Sequence, residues 1–206
     1  RRQRQMCIRD RIRMTAVIIG SIGFLCCFLY DHNSIRLKKS FLHPFFSIGC
    51  FLIAVSTGLV IRNCWPRRGS SFFISAVFLA AALLFLGLLI YTLFFALPFD
   101  ETYVKENHER LAYTEGVYAL CRHPGVLWFA GFYFCLAGFL GSGKALGAFV
   151  VLIVWNILYI FYQDRIVFPE TFSNYGAYQQ TTPFLIPDRN STAACIKTWR
   201  KGGKRR

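Results

Sequence analysis

Long stretches of this sequence lack ionisable side chains. Only 17% of its 206 residues are charged, whereas 55% are hydrophobic, and the apolar residues collect in continuous blocks. This composition excludes an ordinary soluble domain. Because a helix needs about 20 apolar residues to cross roughly 30 Å of hydrocarbon, the blocks predict membrane-spanning helices.

Several common site signatures are also missing. The eight cysteines form no CxxC pair and no Cys/His spacing typical of zinc, and the sequence has no glycine-rich phosphate loop. Cysteines inside apolar blocks behave as small apolar residues. We therefore expect neither a metal site nor a disulfide framework.

Five apolar blocks qualify as membrane spans. They cover residues 14–30, 41–61, 71–97, 125–140 and 145–162. The short, glycine-rich link at residues 141–144 predicts that the last two blocks form an antiparallel hairpin. Lipid cannot satisfy open backbone groups, so we expect an all-α fold, a polytopic membrane bundle of about five transmembrane helices.

The charged residues lie between the blocks and at the two ends of the chain. The formal net charge is +14, and both ends are rich in Arg and Lys. Beside spanning helices, such runs are typical of anchors attracted to anionic membrane lipids rather than of nucleic-acid binding.

We divide the chain into N-terminal transmembrane helices (1–97), a motif-bearing region (98–187) and a basic, amphipathic tail (188–206). We expect the tail to be cytosolic and disordered.

Two polar, aromatic-rich clusters flank the predicted hairpin. Before it, Thr-Glu-Gly-Val-Tyr at residues 114–118 is followed by Arg-His-Pro at residues 122–124. After it, Asp164 leads into a segment with Phe172, a Tyr-x-x-Tyr pair and Pro-Phe-Leu-Ile-Pro at residues 183–187. Because a hairpin returns the chain to the face where it entered, we expect the two clusters to lie together.

This ordered pattern resembles the isoprenylcysteine carboxyl methyltransferase and phospholipid N-methyltransferase superfamily of integral membrane enzymes. Members carry Gly-x-Tyr and Arg-His-Pro before a helical hairpin. An acidic residue, Phe, Tyr-x-x-Tyr and a Pro-Phe-x-x-Pro-like ending then follow. The matching residues are Gly116, Tyr118, Arg122, His123, Pro124, Asp164, Phe172, Tyr175, Tyr178, Pro183 and Pro187. The resemblance covers about the C-terminal half of the chain, and its order is more specific than any single tripeptide.

The resemblance implies methyl transfer from S-adenosyl-L-methionine to a lipophilic acceptor. The acceptor would be an isoprenylcysteine carboxylate, a phospholipid amine or a similar molecule that enters from the bilayer. The cofactor would enter from the cytosol, which places the 100–124 loop and the tail on the cytosolic face. We therefore expect a multi-pass membrane protein whose catalytic loops face the cytosol, with membrane lipids as partners.

The resemblance also implies site residues. The expected cofactor contacts are Gly116, Tyr118, Arg122, His123, Pro124, Leu127, Tyr175 and Tyr178. Arg122 would pair with the methionine carboxylate, and tyrosine faces would favour the positive sulfonium. The expected catalytic residues are Asp164, Glu170 and Arg165. An amine acceptor must lose a proton, which makes Asp164 or Glu170 the candidate base, whereas a carboxylate acceptor needs no base.

The chain departs from the family pattern in two places. After Arg-His-Pro, members have Tyr and then a small residue, whereas this chain has Val126, Leu127 and Trp128. The usual paired glutamates are replaced by Asp164 and Arg165, which inverts one charge. These departures bear on one cofactor contact and on the acid/base assignment.

Two other functions stay open on the sequence. One is an NADPH enzyme similar to the membrane sterol reductases, which the short chain disfavours. The other is a non-catalytic bundle that binds lipid. Taken singly, Arg122 is typical of an interfacial anchor, and Tyr175 and Tyr178 are typical of an aromatic belt at the bilayer surface.

Overall fold

The structure is a computed structural model that describes residues 2–65, 72–96 and 110–202, with side chains described over 11–65, 72–96 and 110–198. The described residues form helices and no strand, so the all-α prediction is confirmed for this part of the chain. The α-helices are α1 (Arg2–His32), α2 (Phe45–Cys64), α3 (Phe72–Phe94), α4 (Val117–Leu120), α5 (Pro124–Leu140), α6 (Gly143–Tyr162), α7 (Phe168–Thr171), α8 (Tyr175–Thr181) and α9 (Arg189–Gly202). Single π-helical turns, Asn33–Leu37 and Gln163–Val167, continue α1 and α6.

Among the described residues, four helical stretches are long and apolar enough to cross a membrane. They are Arg11–Leu37, Ser40–Cys64, Phe72–Phe94 and Gly143–Thr171. Helix α5 is also apolar but has only 17 residues, at the lower limit of the roughly 17–25 residues that a span requires. The structure thus supports an integral membrane protein and gives four long spans where the sequence predicted five. The predicted end of the third span, at residue 97, lies outside the described residues.

The chain folds into two compact units, each made of two separate stretches. Unit 1 comprises Arg1–Leu84 and Ala130–Gln163, and unit 2 comprises Phe85–Phe129 and Asp164–Arg206. Unit 1 contains α1, α2 and α6. Unit 2 contains the short helices α4, α7 and α8 together with α9.

Within unit 1, α1 and α2 approach closely because glycines face each other across the contact. A Cβ at Gly49 would lie 2.6 Å from the Gly23 carbonyl oxygen, and a Cβ at Gly23 would lie 2.8 Å from the Gly49 carbonyl oxygen. Nearby, the buried Ser56 hydroxyl donates to the Ala16 carbonyl at 2.7 Å. Small residues and hydrogen bonds of this kind are what hold helices together in lipid, where burial of apolar surface provides little driving force.

The tail is more ordered than expected, because residues 189–202 form α9 in place of a disordered segment. The Asp188 carboxylate accepts from the Ser191 backbone N–H at 2.6 Å, and the Ser191 hydroxyl accepts from the Asp188 backbone N–H at 3.0 Å. This reciprocal capping satisfies N–H groups at the start of the helix. Near the other end, the Thr198 hydroxyl accepts from the Gly116 backbone N–H at 3.0 Å, which ties α9 to the residues before α4.

The close contact between α1 and α2 predicts that Gly49→Ala destabilises unit 1. The added Cβ meets backbone oxygen and the Cys27 sulfur, and overpacking of this kind costs about 1–3 kcal/mol. Gly58→Ala is the matched control on the same helix, since nothing lies within 4 Å of its Cβ position. Thermal unfolding in detergent, followed by circular dichroism, should show a lower midpoint for Gly49→Ala only. Equal midpoints would mean that the two helices do not meet at Gly49.

Candidate functional site

Residues 116–124, which precede and begin α5, owe their course to the backbone conformations of a few residues. Gly116 has φ +60°, which glycine adopts without strain. The single-turn helix α4 follows, and Cys121 is fully extended, which ends it. The Arg122 backbone N–H donates to the Pro183 carbonyl at 2.9 Å. Pro124 then begins α5, where the missing N–H of proline is no loss.

The segment after α6 is fastened to the same region of unit 2. The Asn174 amide makes two hydrogen bonds to the backbone of Ala112, accepting from its N–H at 2.7 Å and donating to its carbonyl at 3.1 Å. The Ser173 N–H donates to the Arg110 carbonyl at 3.0 Å. The two sequence clusters that flank the predicted hairpin therefore meet, as the sequence predicted.

Asp164 is the centre of this meeting point. Its side chain is only 7% exposed. Arg122 donates to both carboxylate oxygens, from Nε to Oδ1 at 2.8 Å and from Nη2 to Oδ2 at 3.0 Å. The Tyr175 hydroxyl donates to Oδ1 at 2.6 Å, and His123 Nε2 lies 3.1 Å from the same oxygen. The Gln179 amide adds a longer bond to Oδ2 at 3.3 Å. The acceptor capacity of the carboxylate is filled by protein donors.

Arg122 is equally occupied. Its side chain is 10% exposed, and Nη1 donates to the carbonyls of Gln179 at 3.0 Å and Thr182 at 2.9 Å. Together with the bonds to Asp164, these contacts use every N–H of the guanidinium except one on Nη2. The guanidinium carbon also lies 5.5 Å from the centre of the Phe184 ring, within the range of a cation–π contact.

Aromatic rings enclose the polar network. The His123 ring stacks on Phe168, with ring centres 5.8 Å apart and planes 13° apart, and meets Phe184 edge-on at 5.2 Å. Tyr175 and Tyr178 are buried and meet edge-to-face at 5.8 Å. Burial and the adjacent Asp164 carboxylate raise the pKa of the Tyr175 phenol well above its ordinary value. Tyr175 is therefore a neutral donor at physiological pH.

A chain of hydrogen bonds continues from the network toward α3. The Tyr178 hydroxyl donates to the Tyr118 carbonyl at 2.6 Å, and the Tyr118 hydroxyl donates to the Thr92 carbonyl at 2.9 Å. Trp128, one of the departures from the family pattern, donates from its indole N–H to the Thr92 hydroxyl at 3.1 Å. The unexpected side chain at residue 128 thus has a polar partner within unit 2.

The structure brings most of the predicted site residues together. The network and its extension contain Tyr118, Arg122, His123, Asp164, Tyr175 and Tyr178. Pro124 is buried at the start of α5, and Gly116 and Leu127 are half-buried. Glu170 and Arg165, in contrast, are exposed.

Three members of the network were missed by sequence reasoning. Gln179 and Thr182 contribute carbonyls to Arg122, and Asn174 fastens the segment to Ala112. A signal for Gln179 exists in the sequence, because it lies four residues after Tyr175 and therefore on the same face of a helix. The two carbonyls carry no sequence signal.

These side chains fit a structural frame better than a direct cofactor cradle. A cofactor carboxylate at Arg122 would need the fork of donors that Asp164 already takes. The phenols of Tyr175 and Tyr178 are likewise engaged with protein acceptors. We therefore derive no contact between the bound cofactor and these atoms.

Comparison with known proteins adds no relative to this picture. No family model, no curated protein and no solved structure matches the chain. The resemblance described above therefore rests on the ordered motif residues alone.

Because Arg122 is buried and pairs with Asp164, we expect Arg122→Ala to destabilise unit 2. Removing one partner of a buried ion pair leaves the other charge poorly compensated, and we expect a loss of about 3 kcal/mol in the free energy of unfolding. Arg189→Ala, which removes an exposed arginine, should change it by less than about 0.5 kcal/mol. Denaturant titration in detergent compares the two variants. A wild-type stability for Arg122→Ala would show that the ion pair does not hold the two segments together.

Proposed function

We propose that this chain is an integral membrane methyltransferase that uses S-adenosylmethionine to methylate a lipophilic acceptor, with its motif-bearing loops facing the cytosol. One observation supports the proposal above others. Residues of the ordered motif that are separated by α5 and α6 in the sequence converge on Asp164 in one buried network. The combination of Arg, His, acidic and Tyr residues is thus a spatial unit as well as a sequence pattern.

In this proposal the network around Asp164 positions the loops rather than contacting the reacting atoms. S-adenosylmethionine supplies a methyl group on a sulfonium, which is an intrinsically good leaving group. The protein then has to align the acceptor and exclude water, and it needs no covalent nucleophile. A rigid frame of buried hydrogen bonds suits that task, because alignment is lost when loops move.

The choice of a base between Asp164 and Glu170 follows from the exposure of each side chain and from the number of hydrogen bonds that its carboxylate already accepts. Asp164 accepts three hydrogen bonds at Oδ1 alone, so it has little capacity to take a substrate proton. Glu170 is exposed at α7. If the acceptor is an amine, we assign the role of base to Glu170, and if the acceptor is a carboxylate, no base is required.

A single vesicle experiment tests both the activity and the orientation. Sealed inverted and right-side-out vesicles that contain the protein receive methyl-labelled S-adenosylmethionine, which does not cross the bilayer unaided because it is charged. We expect label in the lipid extract of vesicles whose cytosolic face is accessible and much less in vesicles of the opposite orientation. Label in neither preparation, with folded protein present, would contradict the proposal. Label only from the opposite face would contradict the orientation.

A non-catalytic bundle is the second candidate, and the occupancy of Arg122 favours it. A buried arginine whose donors are nearly all used by the protein serves stability whether or not any cofactor binds. Calorimetric titration of the purified protein with S-adenosylmethionine and with NADPH separates the readings. Binding of neither would support the non-catalytic bundle, whereas binding of NADPH alone would support the reductase-like alternative.

The assignment of Glu170 as the base predicts that its replacement lowers turnover without weakening cofactor binding. With an amine acceptor, Glu170→Gln should lower turnover on the order of 10²-fold while cofactor affinity stays unchanged. Glu115→Gln is the control, since Glu115 is also exposed and has no assigned role. Steady-state kinetics with the labelled cofactor provide the measurement. With a proven amine acceptor, wild-type turnover of Glu170→Gln would exclude Glu170 as the base.

A further inference from the structure

The turn between α1 and α2 carries two lysines at the boundary of the membrane, and the proposed function does not use them. Lys38 and Lys39 alone separate the spanning stretches Arg11–Leu37 and Ser40–Cys64 in the sequence. Both lysines are exposed. A charged group inside hydrocarbon is costly, and the long side chain of lysine lets its ammonium group reach the interface. The two ammonium groups therefore lie at the level of the lipid headgroups.

A buried amide fixes the backbone of this turn. The Asn33 side chain is buried, and its amide donates to the Lys39 carbonyl at 2.9 Å. Its oxygen accepts from the Lys39 backbone N–H at 2.8 Å. The Lys38 N–H donates to the Asn33 carbonyl at 2.8 Å, and Lys38 has φ +51°, a left-handed conformation that is uncommon for residues other than glycine. Three hydrogen bonds thus set the backbone from which the two lysine side chains project.

Exposed apolar side chains flank the two lysines. The Phe41 side chain is 67% exposed and the Leu37 side chain is 43% exposed, whereas Leu42 is buried. Segments at the membrane interface combine cations in the headgroup region with apolar side chains that enter the acyl boundary. The turn therefore offers a lipid molecule a cationic contact and an apolar contact side by side.

The charge of unit 1 favours an anionic partner for the turn. Among the described side chains of unit 1, Asp31 is the only acidic one, and it is buried. No described carboxylate forms an ion pair with Lys38 or Lys39. An anion that compensates the two lysines therefore comes from outside the described part of the chain. At the level of the headgroups, the anions that attract juxtamembrane lysines are those of acidic lipids.

We propose that residues 33–41 bind the headgroup of an anionic membrane lipid, with Lys38 and Lys39 contacting its phosphate and Phe41 beside its acyl chain. A zwitterionic lipid binds less tightly, because its own ammonium group offsets the charge of its phosphate. A bound lipid would hold this end of α1 and α2 at a fixed depth in the bilayer. The proposal does not rest on methyl transfer, since binding is measured without any cofactor, and its failure would leave the proposed function untouched.

Native mass spectrometry of the detergent-purified protein tests the proposal directly. Phosphatidylglycerol and phosphatidylcholine with identical acyl chains are added in equal amounts, and the lipid that the protein retains is counted. Because two lysines contact the headgroup, we expect phosphatidylglycerol to bind on the order of tenfold more tightly. Equal retention of the two lipids would overturn the proposal.

Glycerol phosphate distinguishes a lipid site from a site for a free anion. It carries the phosphate but no acyl chain, so we expect that millimolar concentrations leave the bound phosphatidylglycerol in place. Displacement of the lipid at such concentrations would show that the anion suffices without the apolar contact, and it would overturn the assignment to a lipid.

Matched double variants show whether the lipid binds at the turn. Lys38→Gln combined with Lys39→Gln removes two charges without removing a backbone hydrogen bond, and we expect it to weaken phosphatidylglycerol retention on the order of tenfold. Arg62→Gln combined with Lys144→Gln removes the same charge at the last turn of α2 and the first turn of α6. Both control positions lie farther from the turn than the screening length of about 10 Å, so retention should change less than about twofold.

Two outcomes of the variant comparison would overturn the proposal. Equal losses in the two double variants would mean a diffuse attraction between a cationic protein and an anionic lipid. Wild-type retention in the Lys38 and Lys39 variant would mean that these lysines do not contact the lipid. Circular dichroism shows whether each variant is folded. If the lysine double variant fails to fold, Lys39→Gln alone decides, and we expect it to weaken retention severalfold.

Discussion

Arg122 and Asp164 form a pair of opposite charges that is almost completely withdrawn from solvent. Neither charge is tolerable there without the other, because removing an ion from water costs several kcal/mol even after relaxation. The residues around the pair are placed by the same need for compensation, because each remaining N–H of Arg122 and each remaining lone pair of Asp164 needs a hydrogen-bond partner. Tyr175 and Gln179 on α8 supply donors, and the carbonyl of Thr182 accepts from the guanidinium. Helix α8 and the residue that follows it are thus tied to one ion pair by hydrogen bonds.

This network shows why motif residues and their roles have to be considered separately. A guanidinium fork binds a carboxylate in the same geometry whether the carboxylate belongs to the protein or to a cofactor. The sequence pattern predicts that Arg122 meets a carboxylate, and it does, but the partner is Asp164. The chemistry of the contact was therefore predictable, and the identity of the partner was not, because it depends on which segments pack together.

Elsewhere in the chain, too, local chemical properties were predictable from the sequence, whereas features that depend on particular partners were not. Apolar block length is a property of the sequence, and it locates the four long helical spans, although the stretches that begin at Arg11 and Gly143 continue to Leu37 and Thr171, beyond the predicted ends at residues 30 and 162. The apolar criterion ended the first block at residue 30, however, whereas α1 runs to His32 and a π-helical turn continues to Leu37. Polar residues extend this helix because they find local partners: the Ser34 hydroxyl donates to the Asp31 carbonyl, and Asn33 bonds to the backbone of Lys39. The tail helix α9 was missed for a similar reason, since its capping pair acts through geometry that composition does not express.

The two buried carboxylates among the described residues, Asp31 and Asp164, differ in how far the protein satisfies them. In a low-dielectric interior an ionised group must be compensated, either by the fold or by something that binds to it. Asp164 receives a guanidinium, a phenol, an imidazole and an amide, so its requirements are met entirely by the protein. Asp31 accepts from the Gln163 amide and lies beside the Tyr159 hydroxyl, and both of these partners are neutral. Sequence alone would rank Asp164 first as a reactive group because it belongs to the recognised pattern. The number of hydrogen bonds that Asp164 accepts argues against this ranking, because a carboxylate already saturated by its own protein has little capacity left for a ligand.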